Sequence, residues 1–157
     1  MILDGGPCAV GIESTIIAFT SAEPMLLRPG GIGIDALAKV LGAPPRAPDV
    51  TAPRASGTLE SHYAPRTPAR IVAAETLARE SMGGAPPVAV LARTVARPAS
   101  FTGAWIDAPD NPLAYAHDLY ANLRALDHAG ANAILIEGVP DDSAWLAVRD
   151  RLARATN

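Results

Sequence analysis

Hydrophobic positions fall in short blocks whose period changes along the chain. Residues 14–20 (STIIAFT) are β-branched and apolar and predict a strand. Residues 25–28 (MLLR) predict a second short strand, and the SAEP turn between them makes the pair a hairpin. Ile34, Leu37, Ala38 and Leu41 then recur at helical spacing, and Gly42 ends that helix. The stretch before Ser14, DGGPCAVG, reads as a loop.

Residues 43–69 have no sustained apolar period. Pro44, Pro45, Pro48, Pro53, Pro65 and Pro68 predict an extended linker crossing a surface. The Ser61-His62-Tyr63-Ala64-Pro65 cluster stands out in it, since a linker has no evident use for a His and a Tyr.

Residues 70–157 alternate strand and helix signals. Strands are predicted at 70–73, 88–91, 105–107 and 133–136, the last (AILI) of the fully buried kind. Helices are predicted at 75–82, closed by Gly83-Gly84, and from an Asp110 or Asn111 cap with Pro112 in the first turn. The second carries Ala116, Leu119, Tyr120, Leu123 and Leu126 on one face and stops at Gly130. A last helix, capped by Asp142 or Ser143, carries Trp145, Leu146, Val148 and Leu152. This alternation predicts an α/β fold, a Rossmann-like parallel sheet with helices on both faces. The expected division is 1–42, 43–69 and 70–157.

Composition narrows the class. Of 157 residues, 49% are hydrophobic and 18% charged, which suits a packed core and excludes a disordered charged tail. The net charge of -3 argues against a general nucleic-acid coat. Cys8 is the sole cysteine, so no internal disulfide or cysteine zinc site is expected and a reducing, cytoplasmic setting fits. No apolar run approaches the roughly 20 residues of a membrane span, and MILDGGPC lacks the signature of a signal peptide.

Candidate chemistry is sparse. There is no phosphate-binding GxxxxGK[ST], and Gly31-Ile32-Gly33 lacks the third glycine of a dinucleotide fingerprint. Glu13-Ser14-Thr15 enters a strand from a glycine-rich loop. Its hydroxyls either meet a ligand oxygen or close the loop's own hydrogen bonds. Arg28 at a strand end either clamps a phosphate or makes a surface ion pair. His62 and Tyr63 either contact a nucleotide or pin the linker. His117 and His128 are not spaced as a metal pair, and Asp141-Asp142 reads as a turn and cap. Arg149, Arg151 and Arg154 either suit the dipole end of the last helix and solvent or contact a nucleotide or tRNA.

Three motifs in order carry a resemblance: Asp4-Gly5-Gly6, Gly11 and Ser14-Thr15 followed by Leu27-Arg28-Pro29-Gly30; then Ser61-His62-Tyr63-Ala64-Pro65; then Tyr120, Leu123-Arg124, Leu126-Asp127, residues 134–137 and Asp150-Arg151-Leu152 through Arg154-Ala155. Together they resemble the C-terminal part of long-form, two-domain YrdC/Sua-type threonylcarbamoyl-AMP synthases. Only the loop at residues 141–145 departs, where family members often have glycine.

The resemblance implies that 1–42 is the end of a YrdC-like catalytic domain, 43–69 the linker and 70–157 the accessory domain. It implies synthesis of threonylcarbamoyl-adenylate and pyrophosphate from ATP, L-threonine and bicarbonate, with Mg²⁺ accompanying ATP and no evident protein ligand for the metal. Downstream proteins would transfer the group to a tRNA adenosine. Ser14 and Thr15 would meet threonine. Arg28, His62 and Tyr63 would meet the nucleotide, the last two as a lid that keeps water from labile intermediates. Roughly 160 residues with Lys-x-Arg and Ser-x-Asn elements would stand upstream. Without them the chain is expected to be inactive, and residues 1–42 to pack poorly or to associate with another chain. The alternative is a non-catalytic α/β module that binds a nucleotide, tRNA or a partner protein.

Overall fold

A computed structural model of the chain describes residues 1–6, 8–20, 22–57, 63–82 and 87–156. Strands β1 (Ile16–Ala18) and β2 (Met25–Arg28) form an antiparallel pair, with a register shift between Ile16 and Ile17. Helix α1 (Ile34–Leu41) follows and closes on Gly42 in the left-handed conformation. The remaining strands are β3 (Ala69–Val72), β4 (Val88–Ala92), β5 (Trp105–Asp107) and β6 (Ala133–Glu137). The remaining helices are α2 (Ala74–Met82), α3 (Pro112–Asp127) and α4 (Leu146–Ala155), the last entered through a 3-10 turn, Ser143–Trp145.

β3 to β6 form one all-parallel sheet in the order β3-β6-β4-β5. Its central strands bury both faces, as their unbroken apolar runs require. Ala89, Leu91, Ile134 and Ile136 face α3 and α4, packing on Leu119, Leu123, Leu126, Val148 and Leu152. Val72, Val90 and Leu135 face Leu77 of α2. The cap of α3 is Asn111, whose side chain accepts from the Leu113 and Ala114 amides, and Asp142 caps the 3-10 turn.

Residues 1–42 are seated only in part: Phe19, Ile32 and Val40 stay exposed, as a poorly packed segment would leave them, while a few residues reach a core. Met25 is fully buried, with Ala18 and Leu27 beside it. Ile12, 3% exposed, leaves its glycine-rich loop and enters the core between the sheet and α3. Gly11 permits this. Its φ is +81°, and a Cβ there would lie 2.6 Å from the Ala116 carbonyl of α3. Met1, Ile2 and Leu3 remain exposed. The linker adds an isolated parallel bridge at Arg46 beside Met25, with the Leu26 amide donating to the Arg46 carbonyl at 2.9 Å.

Candidate functional site

The hairpin, the linker and helices α3 and α4 meet around a cleft of about 430 Å³. Glu13, Ser14 and Arg28 line it from the hairpin side, and Ser56 and Tyr63 from the linker. Tyr120, Arg124 and Arg151 line it from the helices. Ser14, Arg28 and Tyr63, singled out in sequence, are therefore brought together. Ser61 and His62 lie outside the described residues. Thr15 turns away: its hydroxyl donates to the Ile32 carbonyl and accepts from the Ile32 amide, both at 3.1 Å.

The turn after β2 is held from several directions. Arg28 donates through Nε to the Ser14 carbonyl at 3.3 Å and through Nη1 to the Ser56 carbonyl at 2.7 Å. It thus ties the hairpin to the linker, with no carboxylate partner among the described residues. The Gly31 amide donates to the Glu13 carbonyl at 3.1 Å. Gly30 lies so close to the backbone leading into β1 that a Cβ would meet the Ser14 carbonyl at 2.4 Å and the Thr15 nitrogen at 2.6 Å. Arg151 reaches the same turn from α4, donating through Nη2 to the Pro29 carbonyl at 3.0 Å while paired with Asp150. Arg151 is only 6% exposed, which corrects the expectation of a solvated helix-end arginine.

Glu13 accepts from the Gly11 amide at 2.9 Å. Its own amide and that of Gly11 hold its carboxyl below the usual range. Tyr63 sits at φ 55°, a left-handed conformation uncommon for a bulky residue. Its ring meets Tyr120 edge-on at 5.1 Å. Burial pushes the Tyr120 phenol up, against the opposing effect of the Arg151 guanidinium.

Two rival locations are weaker. A cavity of about 320 Å³ between the Pro29–Ile34 turn and helices α3 and α4 has, among the described residues, Ser143 as its one polar side chain. The switch point of the sheet lies between the carboxyl ends of β4 and β6, the place where open α/β sheets bind ligands. Here the buried carboxylate of Glu137 fills it. It accepts from the Arg93, Thr94 and Val95 amides at 2.7, 2.8 and 3.1 Å and from the Thr94 hydroxyl. Burial pushes Glu137 up, but these bonds outweigh it and hold the carboxyl below its ordinary value.

The sequence singles out Tyr120, Arg124 and Arg151 as residues that carry the family resemblance and gives none of them a place in a cleft. The further signal for the two helix residues is the four-residue step from Tyr120 to Arg124 along a helix whose core face runs through Leu119, Leu123 and Leu126.

Comparison with known proteins agrees with this architecture. The family described as "Threonylcarbamoyl-AMP synthase, C-terminal domain" matches residues 32–157. A threonylcarbamoyl-AMP synthase of Pyrococcus abyssi is 31% identical over 171 residues, covering 99% of this chain and 48% of the relative. One from Bacillus subtilis is 30% identical over 166 residues, covering 98% and 48%. The crystal structure of P. abyssi Sua5 complexed with L-threonine superposes with a TM-score of 0.77 at 30% identity, covering 98% of this chain and 48% of that one. A P. abyssi Sua5 variant with an adjacent His–Tyr pair replaced by alanines gives a TM-score of 0.75 at 27% identity, covering 98% and 47%. The chain spans about half the length of the relatives it matches. With the parallel sheet, its helices and the family match over 32–157 in agreement, the chain belongs to the threonylcarbamoyl-AMP synthase C-terminal domain family.

Proposed function

We propose that this chain is the C-terminal part of an L-threonylcarbamoyladenylate synthase, which makes threonylcarbamoyl-AMP and pyrophosphate from ATP, L-threonine and bicarbonate for tRNA modification. The convergence of Ser14, Arg28 and Tyr63 on one cleft carries the reading. In it Ser14 meets L-threonine, while Thr15 holds the turn behind it. Arg28 fixes the nucleotide's phosphate region. His62 and Tyr63 form a lid that keeps water from the carbamate and the mixed anhydride.

The solved relative carrying L-threonine supports the substrate class. His62-Tyr63 is the one adjacent His–Tyr pair of this chain, the same two residue types that are replaced in a solved P. abyssi variant. No group of three His, Cys, Asp or Glu among the described residues suits a metal, so the reading assigns Mg²⁺ no ligand here. The division at 1–42, 43–69 and 70–157, a cytoplasmic setting and downstream tRNA-transfer partners belong to the same reading.

The test is pyrophosphate release with ATP, Mg²⁺, L-threonine and bicarbonate, omitting one substrate at a time. The chain alone is expected to release none. Fused to a synthase segment carrying Lys-x-Arg and Ser-x-Asn, it is expected to release pyrophosphate only when every substrate is present. No release from the fusion, or release indifferent to threonine and bicarbonate, would overturn the reading.

A further inference from the structure

Three guanidiniums line the cleft, and they are not equivalent. Arg28 directs two donors to backbone carbonyls. Arg151 is buried on Asp150 and the Pro29 carbonyl. Arg124 is exposed, and among the described residues its guanidinium has neither a hydrogen bond nor an ion pair. The nearby carboxylates among the described residues are occupied. Glu13 accepts from the Gly11 amide, and Asp127 accepts from the Thr67 amide at 2.8 Å. Arg124 stands one helical turn beyond Tyr120, whose ring meets Tyr63 at the same opening. An unpaired planar fork beside two further cations and two aromatic rings suits a multiply charged phosphate, since a guanidinium engages two phosphate oxygens at once.

We infer that Arg124 of α3 is a phosphate-binding residue of this cleft, holding the β- and γ-phosphates of ATP or the pyrophosphate released from them. The inference rests on the synthase reading for its ligand. It gives the C-terminal α/β unit a direct part in substrate handling, with Arg151 as the positioning residue that ties α4 to the Arg28-Pro29 turn.

The probe is inorganic pyrophosphate titrated into the 157-residue chain and followed by amide chemical shifts. Arg124→Gln is expected to weaken binding about tenfold, the loss of one charge-assisted contact, with an unchanged thermal melt. Arg124→Lys, which keeps charge but loses the fork, is expected to fall between. Arg70→Gln removes the same charge at a surface pair with Glu80 and is expected to bind as wild type. ATP in the fusion enzyme should show the same Arg124→Gln loss if its terminal phosphates are the ligand. A loss confined to pyrophosphate identifies the product. An equal loss for AMP, no pyrophosphate binding by the wild-type chain, or equal losses in Arg124→Gln and Arg70→Gln would each overturn the inference. The two readings fail separately. Arg124-dependent pyrophosphate binding without substrate-dependent turnover keeps this site and discards the synthase. Turnover with pyrophosphate binding indifferent to Arg124 does the reverse.

Discussion

The hairpin β1-β2 and the parallel sheet β3-β6-β4-β5 are built from similar apolar, β-branched segments, yet they are stabilised differently. The sheet is covered on both faces, and Val90, Ile134, Leu135 and Ile136 are fully buried. The hairpin's own core is Ala18, Met25 and Leu27, and its two-stranded sheet is too small to be stable alone. It leans instead on the helices, through Ile12 in their core and through Arg151 on the Pro29 carbonyl. Polar side chains are costly to bury unpaired inside the sheet, where Glu137 needs three amides and a hydroxyl. At the seam between the two regions they keep either solvent, as the exposed Arg124 does, or partners, as Arg28 and Arg151 do. That is why the cleft-lining arginines and tyrosines collect there.

The largest expected contrast is in stability. Leu119→Ala, at a fully buried position between the sheet and α3, should cost about 3 kcal/mol in chemical denaturation. Leu27→Ala should leave that global transition nearly unmoved while speeding amide exchange in β1 and β2, because the hairpin opens locally. Equal global losses would show that the two regions form one cooperative unit.

Glu137→Gln should cost about 2 kcal/mol at neutral pH, since the replacement loses charge-assisted bonds from a buried site. The folded-state carboxyl is depressed, so its contribution is present above the ordinary glutamate range and lost as pH falls through the folded value. Unfolding measured across acid pH should therefore show a steeper decline in wild type than in Glu137→Gln. Parallel curves would count against the carboxylate as the clamp on the β4–β5 loop.

Gly30→Ala should cost about 1 to 2 kcal/mol locally, since its Cβ must displace the Ser14-Thr15 backbone that leads into β1. It should be read as lost exchange protection at the Gly31 amide, which now donates to Glu13. Tyr63→Ala is the smallest stability effect, within about 0.5 kcal/mol for a ring 69% exposed. In the fusion enzyme the same change should lower turnover or raise futile ATP loss, and wild-type behaviour would remove the lid.

Much of the sheet was legible in the chain. Unbroken apolar runs mark β4 and β6, Asn111-Pro112 opens α3, and Gly42 closes α1. The order β3-β6-β4-β5 was not, because it depends on crossover contacts that no local period encodes. Ile12 was hidden in a glycine-rich loop with no period to mark its burial. Arg151 looked solvated because its partner, the Pro29 carbonyl, lies 122 positions away in the chain. Ser14, Arg28 and Tyr63 were found through motif order, and only the fold added the helix residues opposite them.

The most direct test of the seam as the working site is Arg28→Ala in the fusion enzyme, read as ATP-dependent pyrophosphate release. Release should fall at least about tenfold, while the unfolding transition of the parallel sheet stays within about 0.5 kcal/mol of wild type. Undiminished release with all substrates present would contradict the account.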